Sequence, residues 1–223
     1  MGPQLPLNLE TAEPFRWRDF VVSPSNESAV AVLAEWPDAA GGALALVGPE
    51  GSGKTHLATA WAERCGAILL NDVAADIIDL PDMEGRCVVV DDADRVDDET
   101  LFHLINQAGI RGGCLLLTSR TAPSSWSAAL PDLRSRLDAL RTLELQAPDD
   151  VVLWALLERF FRQSAIRPSR DLLEYLVRRI ERSAPQAREV VARLHRAAVS
   201  DHRPVTRALA REVLESESGE GVN

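Results

Sequence analysis

Residues 48–55 read Gly-Pro-Glu-Gly-Ser-Gly-Lys-Thr, a complete GxxxxGK[ST] pattern with an apolar run before it and a helix-spaced run after it. That order of elements is the one a phosphate-binding loop requires. Gly48, Gly51 and Gly53 let the backbone curl and, with Ser52, would present N–H groups to phosphate oxygens, Pro49 lying in the same phosphate-binding turn. Lys54 would reach the β- and γ-phosphates, and the Thr55 hydroxyl would ligate Mg²⁺. The expected ligand is therefore ADP or ATP with Mg²⁺. Lys54 is also the only lysine in the chain, the other 23 of 24 basic residues being arginine. A compact ammonium suits a phosphate loop where a wide guanidinium does not.

A second cluster follows in Val88-Val89-Val90-Asp91-Asp92, an apolar strand ending in paired carboxylates. Beside a phosphate loop, Asp91 reads as the Mg²⁺ partner and Asp92 as the group that polarises an attacking water. An aspartate is one methylene shorter than the glutamate many ATPases carry there, so vigorous unaided hydrolysis is not expected. Thr118 and Ser119 end another apolar strand, where a γ-phosphate or its water could be touched. Arg134 and Arg136 lie beside a short apolar helix and Arg188 on a later one; among so many arginines, composition alone selects none of them. Cys65, Cys87 and Cys114 read as small core residues, and His56, His103, His195 and His202 lack metal-ligand spacing.

These groups need a scaffold, and the 223 residues are enough for one. Apolar runs at 43–47, 67–70, 87–90, 114–117 and 142–145 alternate with helical stretches at 26–36, 55–64 and 99–108. Uniformly apolar strands alternating with helices predict a parallel sheet sandwiched by helices. After residue 147 only helical periodicity remains, at 151–163, 170–181, 185–198 and 205–215. The expected organisation is an extended arm over 1–19, an α/β nucleotide-binding domain over 20–147, a small all-helical lid over 148–216 and a disordered tail over 217–223. Trp36, Trp61 and Trp154 read as core. Residues 1–150 carry 11 basic and 24 acidic groups, net −13, whereas 151–223 carry 13 and 10, net +3. An acidic body argues against non-specific binding to nucleic acid. No run approaches the ~20 apolar residues of a membrane span and no leader opens the chain, so a cytoplasmic protein with no membrane partner is expected.

Taken together, these motifs resemble AAA+ P-loop ATPases of the bacterial replication-initiator DnaA type, most closely the short regulatory branch called Hda. The stretch 15–26, FRWRDFVVSPSN, is similar to the family's nucleotide-recognition segment, which implies base contacts at Val21 and Val22. GPEGSGKTHL, with His56 after the loop, and VVVDDAD resemble the family's phosphate loop and Asp-Asp pair. LPDLRSRLDALRTLELQAP looks like the arginine-finger segment and assigns the finger to Arg136; AREVVARLHRA looks like the lid helix and assigns its phosphate-sensing arginine to Arg188. Two departures stand out: Ser23 where the family often has Gly, and Arg120 where an acidic residue commonly follows the strand-end polar position.

The Hda likeness rests on two features. The chain is expected to stop after the lid, leaving no DNA-binding domain, so DNA would be reached only through a partner. Gln4-Leu5-Pro6-Leu7-Asn8-Leu9 resembles the peptide that binds the DNA polymerase III β sliding clamp: Pro6 keeps it extended, Leu5, Leu7 and Leu9 alternate, and Gln4 hydrogen-bonds. The resemblance implies a negative regulator of replication initiation. With the DNA-loaded clamp, it would stimulate hydrolysis of ATP on DnaA through Arg136 in trans. Two alternatives are an autonomous ATPase or loader, marked by turnover without partners, and a non-catalytic clamp adaptor, marked by indifference to loss of Arg136. Self-association is compatible with any of these.

Overall fold

The computed structural model describes residues 16–37, 41–70 and 84–220. Five strands form one fully parallel sheet: β1 (Gly42–Val47), β2 (Ile68–Leu70), β3 (Cys87–Val90), β4 (Cys114–Ser119) and β5 (Arg141–Glu144), in the order β2-β3-β4-β1-β5. Successive side chains alternate across a strand, and the sequence is apolar at both parities, so both faces are covered. On one face Leu44, Leu46 and Leu116 meet Ala29 and Leu33 of α1 (Glu27–Glu35) and Leu57 and Trp61 of α2 (Lys54–Cys65). On the other, Val88, Val90, Leu115 and Leu117 meet α3 (Asp98–Gln107) through Leu101 and Leu104 and α4 (Pro131–Ala139) through Leu133 and Leu137. Trp36 and Trp61 stack at 4.8 Å, and the Trp61 indole donates to the Trp36 carbonyl at 2.9 Å, as core tryptophans should.

Four helices follow: α5 (Asp150–Gln163), α6 (Arg170–Val177), α7 (Ala184–Ser200) and α8 (Arg207–Glu220). They enclose a separate apolar cluster built on Leu153, Leu157, Phe161, Leu172, Leu176, Val190 and Leu194, with Trp154 against its edge. Side chains of Asp149, Ser169 and Ser183 cap α5, α6 and α7, each accepting a first-turn N–H at 3.0–3.2 Å.

Several expectations are corrected. The described part of the arm is not extended: Trp17–Asp19 form a 3-10 turn, because Trp17 packs on the core and the Arg64 guanidinium lies 4.8 Å over its ring. Gln4, Leu5, Leu7 and Leu9 lie outside the described residues. Strand β4 runs past Leu117 to include Thr118 and Ser119, whose backbones pair with Leu46 and Val47. Helix α6 ends at Val177, not 181, since the Arg179 and Ile180 N–H groups both fold back to the Leu176 carbonyl and Ile180 turns into the bundle core. The α8 backbone is helical through Glu220, beyond the expected fraying point, and an Arg211–Glu215 pair one turn apart supports it. Cys114 is buried in the core with Cys65 and Cys87 packed against it, as expected, but Cys87 and Cys114 also face each other across β3 and β4 as a disulfide with sulfurs 2.16 Å apart, while Cys65 is free. Among the described residues no helix is long and apolar enough to cross a membrane.

Candidate nucleotide site

The register of the sheet sets the root of the loop. Val47 lies opposite Ser119, and the Gly48 N–H donates to the Ser119 carbonyl at 3.3 Å, while Leu145 N–H donates to Val47 at 2.8 Å. The backbone is so close here that a Cβ at Gly48 would sit 2.3 Å from the Leu145 carbonyl oxygen, which only glycine avoids. Lys54 opens α2 and is buried; its ammonium donates to the Gly48 and Pro49 carbonyls at 2.8 and 2.9 Å. An ammonium has three donors, so a third remains for an anion. Burial pulls its pKa below the ordinary lysine value, against the pull of the Asp92 and Asp91 carboxylates. Ser52 contributes a buried hydroxyl with no hydrogen-bond partner inside the loop. A buried hydroxyl without a partner at the phosphate loop is suited to hydrogen-bond an anion's oxygen.

The second row of groups stands across from Lys54. The Thr55 hydroxyl donates to Asp91 at 3.0 Å, and these are the oxygen donors Mg²⁺ takes when phosphate and water complete its shell. Asp91 also accepts from the Thr118 hydroxyl, and the same hydroxyl accepts the Asp92 N–H at 3.1 Å. Ser119 donates to the Thr121 carbonyl at 2.6 Å. Both strand-end hydroxyls are fully buried with their protons committed within the protein, so Thr118 acts on the site by holding Asp91. Asp92 adopts φ 49°, a left-handed conformation that aspartate tolerates better than most residues, with its carboxylate 3.5 Å from Arg95.

A wall rises from the residues before α1. The Asn26 side chain donates to Val21 and accepts from the Ser23 N–H, closing a turn that presents Val22, half exposed. Phe20 meets the His56 ring edge-on at 5.2 Å and lies 3.5 Å from the position of a Cβ at Gly53. From the bundle side, the Ala184 N–H donates to the Gly51 carbonyl at 3.3 Å, so α7 begins against the loop. Further along that helix Arg188 is exposed, its guanidinium 5.0 Å over the Phe160 ring.

The remaining arginines separate cleanly. Arg134 donates to the Trp126 and Pro123 carbonyls at 2.8 and 3.0 Å and pairs with Asp138, so it braces the segment before α4. Arg136 is exposed on the same helix, its guanidinium 5.6 Å over Phe102, and it has no carboxylate partner among the described residues. Sequence reasoning missed one pair at the loop: Arg120 lies 2.9 Å from Glu50. The Ser119–Arg120 departure was the available signal.

No protein-family model matches the chain. It is 26% identical over 230 residues to the chromosomal replication initiator protein DnaA of Thermomicrobium roseum, covering 90% of this chain and 49% of that protein. Its fold superposes on domain III of Thermotoga maritima DnaA with a TM-score of 0.75 at 17% identity, covering 91% and 96% of the two chains. The chain therefore has the fold of that DnaA domain. It spans about half the length of the DnaA relative it matches. The AMPPCP-bound DnaA of Aquifex aeolicus is similar in fold, with a TM-score of 0.67 at 16% identity over 80% of this chain and 64% of that one.

Proposed function

We propose that this DnaA-like protein holds ADP or ATP with Mg²⁺ and acts on a DnaA initiator, lending Arg136 in trans to the nucleotide bound there. AMPPCP bound in the Aquifex aeolicus relative supports the nucleotide reading, as do the orphaned Ser52 hydroxyl and the third donor of Lys54. Gly48, Pro49, Gly51, Ser52 and Gly53 wrap the phosphates, Thr55 and Asp91 orient the metal, and Val21, Val22 and His56 border the base and sugar. Mg²⁺ held by Thr55 and Asp91 would neutralise charge on the phosphates when bound. Asp92 is the group nearest the role of water activation, and Arg188 reaches the phosphates from α7 once it leaves Phe160.

The observation that carries the regulatory reading is the contrast between Arg134 and Arg136. Arg134 turns both Nη groups to carbonyls of its own chain, whereas Arg136 offers an exposed, planar guanidinium with an aromatic ring beneath it. Such a group can stabilise charge on a transferring phosphoryl group in a neighbouring molecule, a contribution worth ~10³–10⁵ in rate. Attachment to the DNA polymerase III β sliding clamp through Gln4, Leu5, Leu7 and Leu9 is part of the same proposal. The setting is the bacterial cytoplasm, with DNA met only through the clamp, and the lid comprises 148–216.

The test is hydrolysis of DnaA-bound ATP in the presence of DNA-loaded clamp. Arg136→Ala should remove stimulation by on the order of 10³-fold, leaving clamp capture and the melting temperature unchanged. Stimulation that survives the substitution would reject the finger assignment. Rapid hydrolysis by this protein alone would favour the autonomous ATPase instead.

A further inference from the structure

The chain has three cysteines, and they differ in what they can do. Cys87 and Cys114 open β3 and β4, stand opposite each other in the ladder and share a bond. Cys114 is buried at 2% exposure, whereas Cys87 is half-buried, so solvent approaches the pair from the Cys87 side. Cys65 ends α2 against the same apolar cluster. Its thiol donates to the Trp61 carbonyl at 3.2 Å and burial pushes its pKa up, which leaves a protonated, weakly nucleophilic sulfur. The strands do not need the bond to stay paired. A parallel ladder joins them from Cys87 to Val90, the Cys114 N–H donates to the Arg86 carbonyl at 3.1 Å, and at the far end Thr118 holds Asp91. Two thiols are small and apolar enough to keep the same places in the cluster. One fold thus accommodates both states of the pair. Between the two cysteines, over a sequence separation of 27, lie Asp91, Asp92 and the whole of α3. Closing the bond ties both ends of the stretch that carries the metal-side carboxylates.

We propose that Cys87 and Cys114 are a reversible redox pair: Cys87 attacks a low-molecular-weight disulfide such as oxidised glutathione, Cys114 resolves the adduct into the bond, and the bond stiffens residues 88–113. In the first step the Cys87 thiolate bonds to one sulfur of the small disulfide, and the other half leaves as a thiolate. In the second, the Cys114 thiolate attacks the Cys87 sulfur and the remaining half leaves. The two cysteine protons end on the two departing thiols, so the protein loses two electrons and the small disulfide gains them. In the cytoplasmic setting proposed above, small thiols keep the pair reduced at rest, and a bond made there is usually transient or redox-sensing. Only the resting state depends on that setting.

The full chain is equilibrated in buffers spanning reduced to oxidised glutathione and quenched in acid. Its free thiols are then alkylated after unfolding and counted by mass. Three labels in reducing buffer should give way to one, on Cys65, in a single transition. Three labels at every ratio would overturn the proposal, because no bond would form. One label at every ratio would also overturn it, because the bond would be permanent. Cys114→Ala should trap one glutathione on Cys87, and Cys87→Ala should react at Cys114 at least ~10-fold more slowly. Equal rates, or an adduct on Cys65 in place of Cys87, would reject the order of attack. Oxidised wild type should melt ~5 °C or more above the reduced protein, and its amides over 88–113 should exchange more slowly. Cys87→Ala should show neither difference between the same buffers. Wild type that melts and exchanges alike in both states would reject the stiffening. Acid-trapping the protein from its own unstressed cells reads the setting separately. A closed bond there, beside a reversible titration in buffer, would reject the cytoplasmic reading and uphold the pair.

Discussion

The sheet body and the helical bundle each enclose an apolar core, yet they dispose of their polar groups in opposite ways. In the body, Ser52, Lys54, Thr118 and Ser119 are buried together at the carboxyl ends of β1 and β4. Their lone pairs and protons are matched to Asp91, Asp92 and loop carbonyls, with Ser52 left over. In the bundle, charges lie outside in exposed pairs such as Arg170–Glu174, Arg203–Glu212 and Arg207–Asp171, which contribute little each. Among the described residues, its one buried polar side chain is Ser183, and Ser183 is where the bundle touches Gly51 of the loop. The lesson is a division of labour. Chemistry is assembled in the body, and the bundle contributes a position over it.

If the two cores are independent, damage to one should spare the other. Leu157 is fully buried in the bundle, and Leu157→Ala should cost about 2–5 kcal/mol there. Amide exchange should then rise across α5–α7 while β1, β4 and the first turn of α2 keep their protection. Uniform loss of protection in both regions would dissolve the comparison and make the chain a single cooperative unit.

The seam between them gives the next effect. Gly51 has φ +73°, and a Cβ there would lie 2.6 Å from the Ser183 Cβ and 2.9 Å from the Pro185 Cδ. Gly51→Ala should cost about 1–3 kcal/mol through strain and displacement of the start of α7. It should raise amide exchange at residues 183–187 and weaken nucleotide binding, while the melting of the body barely moves. Unchanged exchange at 183–187 would mean the bundle does not need that contact to hold its place.

The same division explains which parts were legible in the sequence. Strand β3 was delimited correctly because Cys87–Val90 is apolar at every position between turn residues. Gly48, Lys54 and Thr55 fall within one eight-residue stretch, so the sequence alone already places them side by side at the start of α2. Contacts between strands distant in sequence were not readable. Register decides that Thr118 meets Asp91, that Cys87 faces Cys114, and that Arg120 arrives beside Glu50. Nor could periodicity separate Arg134 from Arg136, because the carbonyls that occupy Arg134 belong to an irregular segment. The early end of α6 was hidden for a related reason. Ile180 keeps its apolar place in the core through a turn, and a turn imitates the helical spacing.

The smallest expected effect lies at the junction residue Asp149. Burial raises its carboxyl pKa, but the Val152 N–H, the Ser23 hydroxyl and the Ser25 backbone more than offset this and hold it below the ordinary aspartate value. A carboxyl lowered in the folded state stabilises the fold above its unfolded pKa, and that stabilisation fades as pH falls through the folded value. Asp149→Ala should therefore cost about 1 kcal/mol near neutrality, the usual value of a lost helix cap. The gap between variant and wild type should narrow as acid titrates wild type below pH ~4. Asp97 is the control: it caps α3 within the body, and its pKa is held down by the Thr100 N–H at 2.9 Å, a contact inside the body alone. Asp97→Ala should match the stability loss without disturbing exchange in α5. Asp149→Ala should loosen α5 as well, because Ser23 and Ser25 belong to the body and Asp149 starts the bundle. If α5 responded equally little to both, body and bundle would be joined at the Gly51–Ser183 seam and not at Asp149.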